Sequence, residues 1–334
     1  MTHTNTAIFV LCDTEAEYAQ LMTEYLKTHG DIPWELYTYT DVGEMMREES
    51  KRQADMLVVA ERAFSPEIES LQSKCLAVLN ETGLVKWPGV RNINKYQSAD
   101  EVFRELLELY AGVAGEQLPF LESESQLKII GIYSPVRRCL QTTFALTLSR
   151  MLAENHAVLY MNFEHYAGIT ELLPDMQVRD MADLLYFLGT QSDRFRLRMQ
   201  TIIRKNGKLD YIPPMKAGQN LLTVSGAEWL RLLKKIEETG NYEYVILDLS
   251  ECIQGLFEIL RRCARVFTLT KEDRISQNKL LQYEQLLNLC ECGDVLQKTD
   301  KLCIPHIRRL PEELEEYTRG ELADYVRKVA EELV

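Results

Sequence analysis

The sequence predicts an α/β protein of two doubly wound domains: a small (βα)5 domain over residues 1–112 and a larger parallel-sheet domain over 128–334, joined by a linker at 113–127. Three observations predict it. The length of 334 residues suits about two domains at roughly 150 residues each. In both halves, short apolar runs typical of buried parallel strands alternate with segments of helical period. Between the halves, over 112–126, the pattern lapses into Gly-Val-Ala-Gly-Glu-Gln-Leu-Pro and then Glu-Ser-Glu-Ser-Gln, which carries neither period.

Taken in order, 7–12 reads as a buried strand, followed by a helix over 15–29 with the apolar face Tyr18, Leu21, Met22, Tyr25 and Leu26 and a stop at Gly30. A second strand is expected at 34–40. The apolar runs 56–60 and 75–79 are strands flanked by helix-compatible sequence, and 90–93 is the fifth. Ser98 and Glu101 form a capping box ahead of Val102, Phe103, Leu106, Leu107 and Tyr110, so the domain closes on an amphipathic helix. In the second half, strands are expected at 129–133, 157–162, 244–249 and 265–269, with helices at 142–155 and after the capping box Ser225/Glu228, where Trp229, Leu232, Leu233 and Ile236 share a face.

Composition bounds the function. With 46% hydrophobic and 27% charged residues the chain is that of a globular protein, which excludes a disordered or collagen-like one. No apolar run approaches the roughly 20 residues that span a bilayer, and no basic n-region precedes the first strand. An integral membrane segment and a signal peptide are therefore not expected, and a cytoplasmic protein is. Eight cysteines sit mostly in apolar segments, as reduced thiols do, and Cys290-Glu291-Cys292 lacks the second pair or nearby histidine of a zinc site.

The chemistry concentrates in residues 129–144, where an apolar strand runs into a loop and Thr142-Thr143 opens an amphipathic helix. This is the setting of a phosphate-binding loop. With Asn162-Phe163-Glu164 after the next strand and Tyr244-Val245-Ile246-Leu247-Asp248 later, the region from about 128 to 334 resembles the deviant-Walker ATPases of the MinD/ParA family. Preceded by a receiver-like domain, it gives the whole chain a resemblance to the TadZ/CpaE proteins of Flp (tight adherence) pilus assembly. Tyr133-Ser134-Pro135, Ser225-Gly226-Ala227-Glu228-Trp229 and Gln254-Gly255-Leu256-Phe257 are further points of likeness.

The resemblance implies a P-loop fold with ATP and magnesium as cofactors, and the departures from it weaken that implication. Where the family has Lys-Gly-Gly-x-Gly-Lys-Thr-Thr, this chain has Val136-Arg137-Arg138-Cys139-Leu140-Gln141-Thr142-Thr143, so both lysines and all three glycines are replaced. Glycine serves there because amides must point inward, some at positive φ, which arginine and leucine adopt reluctantly. The nucleotide site that the resemblance implies is Arg137, Arg138, Gln141, Thr142, Thr143, Glu164 and Asp248. In it Thr142 resembles the magnesium-binding hydroxyl, Asp248 the Walker B carboxylate, and an arginine stands in for a lost lysine charge. Nucleotide binding is expected to be weak or absent and hydrolysis absent, since phosphoryl transfer depends on positioning and charge that are missing.

A receiver uses acidic residues after its first strand, an aspartate after the third, a hydroxyl after the fourth and a lysine after the fifth. This chain offers Asp13, Ala60-Glu61, Asn80 and Lys95. The pocket Asp13, Glu61 and Lys95 is thus not expected to accept phosphate, and Lys95 with Asp13 reads as an ion pair or as solvated charges. The basic segment 191–208 has a local charge of +5 within a chain of -13, which fits a solvated helix face or a protein partner better than DNA. The acidic stretch 310–334 has the wrong sign for a membrane-anchoring helix and is expected to pack on its domain.

These readings add up to a localisation and assembly scaffold for a pilus secretion machine. It is expected to work as a homodimer that docks machinery proteins, with little or no ATP hydrolysis and no sequence-specific nucleic acid. It would be recruited to the inner face of the membrane or a cell pole. A working ATP-dependent positioning switch is the alternative.

Overall fold

A computed structural model describes residues 7–29, 34–113, 127–173, 179–190, 192–331 and 333. The expected Gly30 stop and all but the ends of the expected linker lie outside the described residues. The chain divides into two compact units, Met1–Glu122 with Thr190–Thr201, and Ser123–Gly189 with Ile202–Val334.

The first unit runs β1 (Ala7–Cys12), α1 (Ala16–His29), β2 (Trp34–Tyr39), α2 (Val42–Glu49), β3 (Ala54–Ala60), α3 (Pro66–Glu69), β4 (Ser73–Asn80), β5 (Arg91–Asn94) and α4 (Ala99–Val113). The five strands are parallel in the order β2-β1-β3-β4-β5, that of flavodoxin-like doubly wound sheets. Period-two alternation splits the core between the two faces. Phe9, Leu11, Met56 and Val58 pack with Met22 and Leu26 of α1 and Val102, Phe103 and Leu106 of α4. Val10, Cys12, Leu57 and Val59 pack with Met45 of α2 and Ile68 of α3.

One expectation needs correcting here. The (βα)5 pattern requires a helix after the fourth strand, and residues 81–90 instead form a loop between β4 and β5. Gly83 at φ 75°, with its amide on Asn80 Oδ1 at 2.6 Å, turns the chain too early for a helix to start, and Pro88 would interrupt one.

The second unit begins with β6 (Lys128–Tyr133), α5 (Gln141–Ala153), β7 (Val158–Asn162) and α6 (Met181–Tyr186). The next helix, α7 (Ser192–Ile202), falls for the most part in the stretch counted with the first unit, where Leu197 joins the α1/α4 face of the core. The second unit continues with β8 (Arg204–Asn206), β9 (Leu209–Ile212), α8 (Gly226–Thr239), β10 (Tyr244–Asp248), α9 (Leu256–Arg262), β11 (Arg265–Leu269), α10 (Arg274–Leu289), α11 (Asp294–Gln297), β12 (Thr299–Leu302) and α12 (Gly320–Ala330). Its seven-stranded sheet has the order β12-β11-β6-β10-β7-β9-β8, parallel except for the β8/β9 hairpin.

Phe144 through Ser149 of α5 are all buried, between the sheet and the closing segment that carries Leu314, Tyr317, Leu322 and Val326. The C-terminal stretch is therefore a packing element, and the charges of its helix α12 are exposed. The expected basic surface at 191–208 is in part interior: Arg196 and Arg204 are buried, and Arg204 Nη1 donates to Ile202 O and Ile203 O at 3.0 Å each.

Candidate functional site

Parallel strands end in a crevice where α/β proteins place their chemistry. In the second unit β6, β10 and β7 lie side by side, with Asp248 in register with Ile132 on one side and Asn162 on the other. From β6 the chain passes through Ser134, whose Oγ donates to Leu269 O at 2.7 Å and lies 3.1 Å from both Val136 N and Arg137 N. A serine hydroxyl thereby folds the start of the loop.

The backbone that follows keeps the shape that its side chains argue against. Arg137, Arg138 and Leu140 have φ values of 64°, 51° and 61°, and these are the three positions where the resembled loop has glycine. A left-handed conformation costs an L-residue roughly 1–2 kcal/mol. Helix α5 then starts from Leu140 with no side-chain cap, its first intrahelical bond running from Phe144 N to Leu140 O at 2.8 Å. The amides of Gln141, Thr142 and Thr143 thus have no intrahelical acceptor, and the positive end of the helix dipole lies there.

The side chains turn inward. Gln141, where the resembled loop has its second lysine, donates from Nε2 to Asp248 Oδ1 at 2.6 Å and to Leu249 O at 2.8 Å. The other carboxylate oxygen accepts from Asn162 Nδ2 at 2.9 Å and Tyr160 OH at 3.1 Å. The Thr142 side chain also lowers the pKa of the carboxylate. A carboxylate has about four lone-pair sites, so the three neutral donors Gln141, Asn162 and Tyr160 take up most of them. Asp248 is 0% exposed, and burial raises its pKa even though each of these donors pulls it down. Asn162 also accepts from Glu164 N at 2.9 Å, and burial followed by the Asp248 charge raises the pKa of half-buried Glu164.

The structure therefore gathers Gln141, Thr142, Glu164 and Asp248 and leaves the arginines outside. Arg137 pairs with Glu251 at the surface and Arg138 is exposed. Half-buried Thr143 turns its carbonyl to the Thr147 hydroxyl at 2.8 Å. Tyr160 was not legible as a site residue, although its spacing of two from Asn162 on a strand places both on one face beside Asp248. A magnesium ion at Thr142 and Asp248 would need lone pairs that this network already uses, so the residues as arranged do not fit a magnesium nucleotide. Among the described residues no group of three or more His, Cys, Asp or Glu is placed to hold a metal.

In the first unit the three expected pocket residues also lie at strand ends, and they are far from solvated. Lys95 Nζ, with its side chain fully buried, stands 2.8 Å from Asp13 Oδ2, 3.1 Å from Glu15 Oε2 and 3.2 Å from Glu81 Oε1, and 4.6 Å above the Tyr18 ring. Burial lowers its pKa, but the three carboxylates outweigh burial and hold it above the usual lysine value. Of the two expected readings the ion pair of Lys95 with Asp13 is the one found, and it lies in a buried cluster rather than among solvated charges. The hydroxyl sought at Asn80 comes from Thr82, two residues further on, and it contacts Glu61.

Among the described residues no helix is long and apolar enough to cross a membrane. No family model and no curated protein matches the chain. Solved structures that it is similar to include MinD in the MinC:MinD cell division complex of Aquifex aeolicus, at 15% identity and TM-score 0.45, covering 62% of this chain and 95% of that one. Others are a ParA family ATPase from Chlorobium tepidum TLS (16%, TM-score 0.43, 61% and 93%) and a Borrelia burgdorferi B31 plasmid partition protein bound to AMPPNP (13%, TM-score 0.45, 63% and 100%).

Proposed function

We propose that the protein is a localisation and assembly scaffold that works by dimerising and docking partner proteins, with little or no ATP hydrolysis. The observation that carries this reading is the Gln141 Nε2 to Asp248 Oδ1 hydrogen bond of 2.6 Å. The residue that would meet the β and γ phosphates is neutral and is bonded to Asp248, and the carboxylate that would support magnesium already accepts three hydrogen bonds. The first change removes a positive charge and the second occupies lone pairs that a metal would use, where phosphoryl transfer needs both. The receiver-like reading of the first unit and the assignment to a Flp pilus machine, at the inner face of the membrane or a cell pole, rest on the resemblance of the sequence to TadZ/CpaE proteins.

One observation favours the second reading, an ATP-dependent positioning switch. The left-handed backbone at Arg137, Arg138 and Leu140 and the open start of α5 keep the outline of an anion cradle. Titration calorimetry with magnesium ATP, molar mass by light scattering and phosphate release separate the two. The scaffold predicts no phosphate release above that of Asp248→Ala and a molar mass independent of nucleotide. Steady release that Asp248→Ala abolishes would overturn it, and binding that doubles the molar mass would establish the switch.

A further inference from the structure

The crevice of the first unit carries more charge than the Lys95 cluster. Glu61, one residue beyond β3, is 6% exposed. Its Oε2 accepts from Glu81 N at 2.7 Å and Thr82 N at 2.9 Å, and the Thr82 hydroxyl lies 2.8 and 3.0 Å from its two oxygens. Lys86 Nζ approaches Oε1 to 2.6 Å. Two successive amides, a hydroxyl and an ammonium are the donors that a phosphate or carboxylate ligand attracts, and here a side chain of the same chain occupies them.

The other side of the same loop is held by opposite charge. The Glu81 side chain, 2% exposed, meets Lys95 Nζ at 3.2 Å and Arg62 Nε at 2.6 Å. Asp13, Glu15 and Glu81 together make the kind of carboxylate set that gathers a cation, and Lys95 is the cation they hold. Residues 81 and 82 are thereby pinned from both sides, while Asn80 Nδ2 on Leu84 O at 2.8 Å and Trp87 against Phe64 at 5.0 Å fix the remainder of the loop.

We propose that Glu61 is a built-in anionic ligand. Its carboxylate permanently fills the amide and hydroxyl nest of residues 81–82 and, with Lys95 as internal cation, latches the 81–90 loop in one conformation without added phosphate or metal. The loop that stands where a helix was expected is thus held by an anion the chain itself supplies. The exposed tip at Leu84 and Val85 is fixed with it. The latch rests on the first unit alone, so it stands or falls separately from the nucleotide reading of the second.

Amide hydrogen exchange of the full chain, read on peptides spanning 81–86, tests it. Glu61→Ala is expected to speed exchange there at least about tenfold, the factor that about 1.4 kcal/mol of lost stabilisation gives, with β1 and β3 unchanged. Added sodium acetate or inorganic phosphate is expected to slow it again by refilling the nest. Wild-type protein treated with magnesium and beryllofluoride is expected to show no change. Unchanged exchange in the variant, faster exchange that neither anion reverses, or a response of the wild-type loop to magnesium and beryllofluoride would each overturn the proposal. If Glu61→Ala does not fold, Glu61→Gln keeps the shape without the charge; faster exchange at 81–86 supports the latch, and unchanged exchange overturns it.

Discussion

The two crevices close by opposite electrostatic means. In the first unit Lys95, Arg62 and Lys86 face Asp13, Glu15, Glu61 and Glu81, so each buried carboxylate has a cation in contact. In the second unit Asp248 is surrounded by the amides of Gln141 and Asn162 and the hydroxyls of Tyr160 and Thr142, all neutral. The difference teaches two ways in which buried carboxylates are held. Paired charges lock a loop, whereas neutral donors hydrogen-bond a single charge and leave the neighbouring backbone left-handed at Arg137, Arg138 and Leu140.

The sharpest way to break the contrast is to remove a cation from the paired crevice. Lys95→Met strands the buried Asp13, and breaking a buried pair from one side costs about 3–5 kcal/mol. The denaturant midpoint of the first unit is expected to fall accordingly, and a loss below about 1 kcal/mol, the size of an exposed pair, would place this cluster with surface charges.

Acid should move the two units in opposite directions. Glu61 is held at about 2, chiefly by Lys86, so the stability it contributes is present above the ordinary carboxylate range and is lost as pH falls towards 2. Asp248 is raised by burial, so its contribution is present below the ordinary aspartate value and is lost as pH rises through its elevated one. Urea melts at about pH 3, inside the Glu61 window, and at about pH 7, above the ordinary carboxylate range, should show the penalty of Glu61→Gln shrinking at the lower pH. The stability of Asp248→Asn relative to wild type should improve at the higher one. Parallel behaviour of the two variants would erase the distinction between the crevices.

The smallest effect concerns the backbone. Leu140→Gly should raise the melting temperature of the second unit slightly, because relief of roughly 1–2 kcal/mol of left-handed strain exceeds the 0.5–1 kcal/mol or so that glycine's freedom removes. Leu140→Ala should give no such gain, and equal melting temperatures for the two variants would show that the φ of 61° is unstrained.

The elements were more legible than the contacts. Strands expected at 7–12 and 265–269 coincide with Ala7–Cys12 and Arg265–Leu269, since an apolar run between polar turns is a local signal. The capping boxes at Ser98/Glu101 and Ser225/Glu228 form as read, for the same reason. The β8/β9 hairpin and β12 escaped because Arg204–Asn206 and Thr299–Leu302 are short and polar, and because β9 owes its place in the sheet to β7, and β12 its own to β11, each distant in sequence. Loss of the phosphate-binding residues was legible at Gln141, but its partner Asp248 lies 107 residues away, and no local pattern announces that one neutralises the other's role. Thr82 and Lys86 were hidden likewise, being placed by a loop where a helix was expected.

Helix α7 carries a consequence for synthesis. The first unit is completed by Thr190–Thr201, a stretch that follows β6, α5 and β7 of the second unit in sequence. A ribosome emitting roughly 5–20 residues per second releases α4 several seconds before that stretch. During this interval the nascent first unit holds an apolar face still waiting for Leu197. The two units therefore cannot mature one after the other along the chain, and a gene fragment ending in the 113–127 segment would encode a first unit lacking its last helix.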